Sequence, residues 1–396
     1  METVNKYLTK KSLPNYIFLI LSLVILILLI VVIAVASSKS SSKQEQGQDE
    51  RSDQETDQET DQGTDQETDQ GTDQETDQET DQETDQEQEE EEEEEDISKL
   101  TPWERYKKAE KYLYIWEYYT PDYIINMCKE HHFTRVYLSI GCIETFWDTY
   151  YSQGNFPASG EIGSLDYQTF IKKLNDINVE VELVTFLGSD PNDFTCVDRV
   201  DTVANMVKQL STKVKIKALH FDQESYENFE SLLNMYIRIN KIFPASAILR
   251  PYWLNLKMTS IKDQFTDQTF YEKFSDCETL VDAIMKITKY TDLMAYNQNY
   301  DVAEGYMKKL KTINSRHPDN EAKNVIEISG EDGVPEDDTM HQRYLEDKDK
   351  FFNFVYNVSK AYNGITIHYY ETWYKTLYCT WPRSDIPYDG GEPKNC

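Results

Sequence analysis

The sequence predicts a (β/α)8 barrel, an eight-stranded α/β fold, carried behind one transmembrane helix and a disordered acidic linker. Three observations predict it: a charge-free apolar run near the amino terminus, a tetrapeptide repeat without apolar residues, and a regular alternation of strand-like and helix-like segments beyond residue 97. Charge separates these parts. The 396 residues carry a formal charge of −32, and residues 1–96 hold 28 Asp and Glu against 6 Lys and Arg, a net of −22, which leaves −10 for residues 97–396. The second part therefore has an ordinary, mildly acidic globular composition. No stretch is basic enough to release counterions from phosphates, so no nucleic-acid partner is expected.

The apolar run spans Tyr16 to Ala36 and reads YIFLILSLVILILLIVVIAVA. As a helix rising 1.5 Å per residue it is about 30 Å long, the thickness of a bilayer's hydrocarbon core. A cleavable signal peptide is the alternative reading, because Ala34-Val35-Ala36 resembles a cleavage site, but the run exceeds the usual ~7–15 residues of a signal core. Lys6, Lys10 and Lys11 precede the span, which favours a cytosolic tail of residues 1–15 and a type II orientation. The domain beyond is then extracellular or lumenal. All six cysteines lie on that side, as an oxidising compartment would have them, although buried free thiols would look the same in the sequence. One sequon, Asn357-Val358-Ser359, fits an exported domain.

Residues 37–96 form the linker. A Thr-Asp-Gln-Glu type repeat runs from about Ser52 to Gln88, with Gly63 and Gly71 replacing Glu, and an unbroken acidic run from Glu89 to Asp96 closes it. Such a segment has no apolar surface to offset its ordering entropy, and like charges extend it. It is expected to act as a spacer. Calcium binding would need carboxylates that converge, which a self-repelling chain does not preorganise.

Residues 97–396 are expected to form the barrel. Candidate strands are 112–118, 135–141, 179–188, 216–224, 252–258, 292–298, 324–330 and 364–370, with helical stretches between most of them, such as 122–132, 166–177, 199–211, 227–242, 278–290 and 341–362. Eight strands over this length fit a closed barrel. A doubly wound open sheet is the rival, but no Gly-rich phosphate loop follows the first strand. Barrel chemistry sits at the carboxyl ends of the strands, so the candidates are Glu117, His220 to Glu224, Tyr296 with Asn297, Glu331 with Asp332, and His368 with Tyr370. In strand four, His220, Asp222 and Glu224 share one face, while Leu219 and Phe221 face the helices.

Two carboxylates so close oppose each other's ionisation, and one can keep a proton at neutral pH. Glycoside cleavage uses such an acid and a second group across the sugar, for which Glu331 is the natural carboxylate; a separation of about 5–5.5 Å would mean retention and about 6.5–9.5 Å inversion. Trp116, Trp253, Tyr296, Tyr370 and Trp373 are placed to stack on sugar rings, or to serve as core and rim aromatics. No cofactor is called for. Zinc or iron on His220, Asp222, His368 and Glu331 is the metal alternative, but no compact motif such as H-E-x-x-H supports it, and His131-His132 at a helix end are expected to be solvent-exposed.

The strand-four residues and Met294-Ala295-Tyr296-Asn297 resemble the superfamily of glycosidase barrels that includes the family 18 chitinases, whose strand four ends D-x-x-D-x-D-x-E and strand six M-x-Y-D. The resemblance implies Glu224 as acid, Asp222 as orienter of the substrate acetamide, and Tyr296 with Asn297 as substrate contacts. This chain departs from that pattern at Lys217, His220 and Asn297. A closer likeness covers most of residues 110–380. Segments LYIWEY, ALHFDQESY, RPYWLN, DLMAYNQN, VIEISGEDG and NGITIHYYETW are similar to a poorly characterised group of barrel proteins in bacteria and microbial eukaryotes. It implies Asp222, Glu224, Glu331 and His368 at one site. The expected function is a tethered glycosidase acting on surface or extracellular glycans, with Glu224 as acid and Glu331 as nucleophile or base. The alternatives are an inactive carbohydrate-binding surface protein, and a structural barrel in which His220 and Asp222 satisfy each other.

Overall fold

The computed structural model describes residues 97–116, 121–156, 166–328, 335–379 and 393. The expected anchor and linker, and Glu117, Glu331 and Asp332, lie outside the described residues. Among the described residues no helix is long and apolar enough to cross a membrane.

Eight parallel strands close on themselves in chain order: β1 Lys111–Ile115, β2 Phe133–Cys142, β3 Glu180–Phe186, β4 Ala218–Phe221, β5 Ala245–Leu249, β6 Tyr290–Met294, β7 Glu321–Glu327 and β8 Ile365–His368, which pairs with β1. The expected barrel is present. After the strands come α1 Pro121–His131, α2 Tyr167–Asn175, α3 Val200–Ser211, α4 Phe229–Ile242, α5 Leu280–Ile287, α6 Tyr300–Asn314, α7 Lys348–Ala361 and α8 Tyr370–Tyr378. Their apolar faces follow helical spacing. In α3, Val200, Val203, Ala204, Val207 and Leu210 are buried, so one stripe packs on the sheet and the other faces water.

Strand alternation divides the core into two shells. Leu113, Leu219, Phe221 and Ile367 belong to the shell between strands and helices, whereas Tyr112, Tyr114, Tyr137, Val184, Ile248 and Val325 pack inside the barrel. At the amino ends of the strands the interior is closed by charge. Arg135 reaches Glu180 at 2.7 Å, Glu182 at 3.2 Å and Glu321 at 2.7 Å, and Lys217 joins Glu180 and Glu321. The opposite end is therefore the one left open for a site.

Four expectations are corrected. Strand five is not 252–258 but Ala245–Leu249, a short run of small and apolar residues bracketed by Pro244 and Pro251 and buried throughout. Pro251 starts a 3-10 turn over Pro251–Asn255, where its fixed φ is suited to a first helical position. The helix expected over 341–362 is two helices, His341–Glu346 and α7, broken at Asp347, whose side chain caps Lys350 N–H. His131 is buried rather than exposed, with its Nε2 3.0 Å from the Tyr378 hydroxyl. Cys128, Cys142, Cys196 and Cys277 are free thiols, the first three buried, so these four lend no support to an oxidising compartment; Cys379 is disulfide-bonded.

Candidate active site at the barrel mouth

The carboxyl ends of β1, β3, β4, β5, β7 and β8 bring Trp116, Phe186, Asp222, Glu224, Arg250, Glu327 and His368 to one mouth. A cavity of about 450 Å³ opens there, lined by Trp116, Phe186, Asp222, Gln223, Glu224 and Arg250 among others. That volume is in the range of small-molecule sites.

The backbone after β4 sets the carboxylates. Asp222 N–H donates to the Thr185 carbonyl at 2.9 Å, which continues the sheet pairing for one residue past the strand. Gln223, between them, is held at the cleft's edge, its Oε1 accepting Leu187 N–H and its Nε2 donating to the Pro191 carbonyl. Asp222 and Glu224 are left facing the cavity. The turn that follows is held by Asn192, whose Oδ1 accepts from Ser225 Oγ, Tyr226 N–H and Glu227 N–H.

The two carboxylates sit in different fields. Burial, and then the neighbouring Glu224 charge, push Asp222 up to about 7, against the pull of His368 and Arg250. Glu224 instead forms an ion pair with Arg250, whose guanidinium lies 3.9 Å over the Tyr226 ring. Burial therefore favours the protonated form of Asp222, beside a Glu224 that is ion-paired with Arg250.

His368 is fixed on both ring nitrogens. Its Nδ1 lies 2.6 Å from Glu327 Oε2, and the Trp116 indole N–H donates to its Nε2 at 2.9 Å. An indole nitrogen only donates, so Nε2 accepts and Nδ1 carries the proton given to Glu327. Burial works against the imidazolium, yet the Glu327 carboxylate outweighs it and raises the His368 pKa, with Asp222 and Glu224 adding to the pull. Taking that second proton means breaking the Trp116 bond. Tyr296 packs against His368 with ring centroids 5.8 Å apart, and the His368–Tyr369 peptide bond is cis.

No family model matches the chain, and no curated protein matches it. Solved structures with a similar fold include the spore cortex-lytic enzyme SleL of Bacillus cereus, 12% identical, covering 67% of this chain and 71% of that one at a TM-score of 0.41. Active domain 2 of a thermostable chitinase from Pyrococcus furiosus is 14% identical, covering 66% and 83% at 0.39. A xylanase and α-amylase inhibitor protein is 12% identical, covering 67% and 94% at 0.38. These are distant likenesses to chitinase-like barrels, and inhibitors stand among them beside enzymes. Catalysis has to be argued from the cleft's own side chains.

Of the residues expected at the site, Asp222, Glu224, Trp116, Tyr296 and His368 meet at the mouth, and Asn297 lies next to Tyr296, its Oδ1 accepting Asn299 N–H. His220 faces inward as expected but is fully buried below the mouth, paired with Tyr114 and Ser246 rather than with Asp222. Trp253 and Tyr370 are both 0% exposed and belong to the outer core, as does Trp373, so none of the three offers a stacking face. Glu331 lies outside the described residues. Arg250 and Glu327 were missed. Arg250 closes a strand the sequence placed seven residues too late, and Glu327 was hidden by running strand seven on to residue 330. Of the metal set weighed from sequence, Glu331 lies outside the described residues; among the described residues the group with ligand spacing is Glu182, His220 and Asp292, inside the barrel, with His220 its one shared member.

Proposed function

We propose that the barrel mouth cleaves glycosidic bonds by acid/base catalysis, with the Asp222–Glu224 pair supplying the proton. The observation that carries this reading is a pair of carboxylates, Asp222 raised by burial and Glu224 ion-paired with Arg250, in an open cleft at the strand ends lined by Trp116 and Phe186. A sugar that draws Arg250 onto its own hydroxyls leaves Glu224 without its counter-charge. The proton then passes from Asp222 to Glu224, which delivers it to the glycosidic oxygen as general acid. Trp116 and Phe186 hold the ring face, and His368, clamped by Glu327, orients a hydroxyl with Tyr296. Glu327 is committed to His368, and we keep Glu331, the carboxylate expected from the sequence, as the nucleophile or base. We assign the chain to a membrane surface through Tyr16–Ala36, with the barrel extracellular or lumenal.

The test is a panel of aryl glycosides and oligosaccharides offered to the full chain and to Glu224→Gln. Turnover by the wild type that the variant loses supports the reading. The second reading, a carbohydrate-binding protein without turnover, is favoured by the Glu224–Arg250 ion pair, which occupies the acid; saturable binding by both proteins with no product from either would establish it.

A further inference from the structure

Beneath the cleft the barrel interior holds a second polar group that the proposed chemistry does not use. Glu182 from β3, His220 from β4 and Asp292 from β6 point into the barrel, each no more than 1% exposed. His220 Nδ1 lies 3.6 Å from Asp292 Oδ2 and 3.9 Å from Glu182 Oε2, and one donor atom from each residue falls within 4.8 Å of the other two. The remaining atom of each is held from outside the cluster. Arg135 donates to Glu182 Oε1 at 3.2 Å, the Tyr137 hydroxyl donates to Asp292 Oδ1 at 2.7 Å, and the Tyr114 hydroxyl pairs with His220 Nε2 at 3.0 Å.

This is the pattern of a metal centre's outer layer: each ligand is oriented by a partner on its far atom while the near atoms converge. The near atoms are poorly served without an ion. Glu182 Oε2 is fully buried and, among the described residues, has no hydrogen bond of good geometry. Ser246 Oγ sits among all three, 2.8 Å from His220 Nδ1, 3.5 Å from Asp292 Oδ2 and close enough to Glu182 to act on its carboxylate, so a single hydroxyl is shared by three groups. Arg135 offsets one charge of the carboxylate pair from outside the cluster, and the second needs either a proton or a further cation between the near atoms. The arrangement is not an accident of one loop, since four consecutive or near neighbours in the barrel wall, β3, β4, β5 and β6, each contribute one side chain.

We propose that Glu182, His220 and Asp292 form a binding site for one first-row divalent cation, zinc in the first instance, at the centre of the barrel. One imidazole and two carboxylates suit such an ion, and donor spacings of 3.6 and 3.9 Å lie close to the ~3.4 Å edge that ~2.1 Å bonds give in a tetrahedron. Calcium wants six to eight oxygens and magnesium keeps its waters, neither of which this closed interior supplies. With Nε2 turned to the Tyr114 hydroxyl, His220 directs Nδ1 at both carboxylates, so that nitrogen is the one offered to the ion. The ion would tie β3, β4 and β6 together beneath the cleft and neutralise the carboxylate pair.

The test uses the full chain purified without a metal-affinity tag, its metal content read by plasma mass spectrometry before and after chelation and re-titration with Zn2+, Mn2+ and Co2+. About one ion per chain is expected, with the visible absorption of four-coordinate cobalt when Co2+ is the probe. Glu182→Gln and His220→Gln are each expected to weaken zinc binding roughly tenfold or more, while Asp222→Asn in the cleft leaves it unchanged. Circular dichroism of each variant separates lost binding from lost folding, and the cobalt spectrum of the wild type decides if neither variant folds. Wild-type protein that takes up none of the three cations overturns the proposal, as does an ion that Glu182→Gln keeps and Asp222→Asn loses.

Discussion

The Asp222 carboxyl is lifted from an ordinary 3.8 to about 7, first by burial and then by the charge on Glu224. A group that binds its proton more tightly in the folded state contributes its full stability below about pH 4 and loses it as pH rises through about 7. About three units at 1.36 kcal/mol each mean that ionising Asp222 costs roughly 4 kcal/mol, an upper value because the cleft admits water. Asp222→Asn keeps the shape and removes the titration. The variant is therefore expected to match the wild type near pH 4 and to be about 2–4 kcal/mol more stable near pH 8, a rise of several degrees in Tm. Calorimetry of both proteins across that range measures it, and subtracting the two curves cancels Glu182 and Asp292, which burial also raises. A variant that melts with the same pH dependence as the wild type, or earlier near pH 8, refutes the reasoning. The same substitution is expected to lower glycoside cleavage by about 10²–10⁴, so stability gained would accompany activity lost.

Other expectations follow from the same geometry. Trp116→Phe removes the indole donor to His368 Nε2, and a further rise in the His368 pKa is expected by NMR titration; an unchanged value would mean that the indole bond does not oppose the second proton. Glu327→Gln removes the carboxylate that favours the imidazolium, so the His368 titration should move to lower pH by about a unit or more. Trp253→Ala is expected to cost about 3–5 kcal/mol in chemical denaturation, as for a large core aromatic, and a milder Trp253→Phe to leave oligosaccharide affinity unchanged; loss of affinity in the latter would return Trp253 to the cleft.

What could be read from the sequence was what alternation alone decides. Leu219 and Phe221 against His220, Asp222 and Glu224 give the two faces of β4 without reference to any other strand, and the structure keeps both faces. Depth was not readable: His220 and Asp222 share a face, yet one is sealed among Tyr114, Ser246 and Asp292 while the other reaches the cleft. Strand five failed for a related reason. Ala245-Ser246-Ala247 has no alternation and little bulk, since it is buried on both sides, whereas the aromatic segment after Pro251 looks more strand-like and is a pair of 3-10 turns. That shift misplaced Trp253 and concealed Arg250. Glu182 and Asp292 lay within candidate strands but drew no notice, because their partners Arg135, Tyr137 and His220 come from strands distant in sequence.

The pH dependence of kcat/KM on a cleaved oligosaccharide tests the central claim most directly. If the Asp222–Glu224 pair supplies the proton, activity falls as pH rises through about 7, where Asp222 gives that proton up. Activity that holds level through that region, or a rate that climbs across it, would contradict the account.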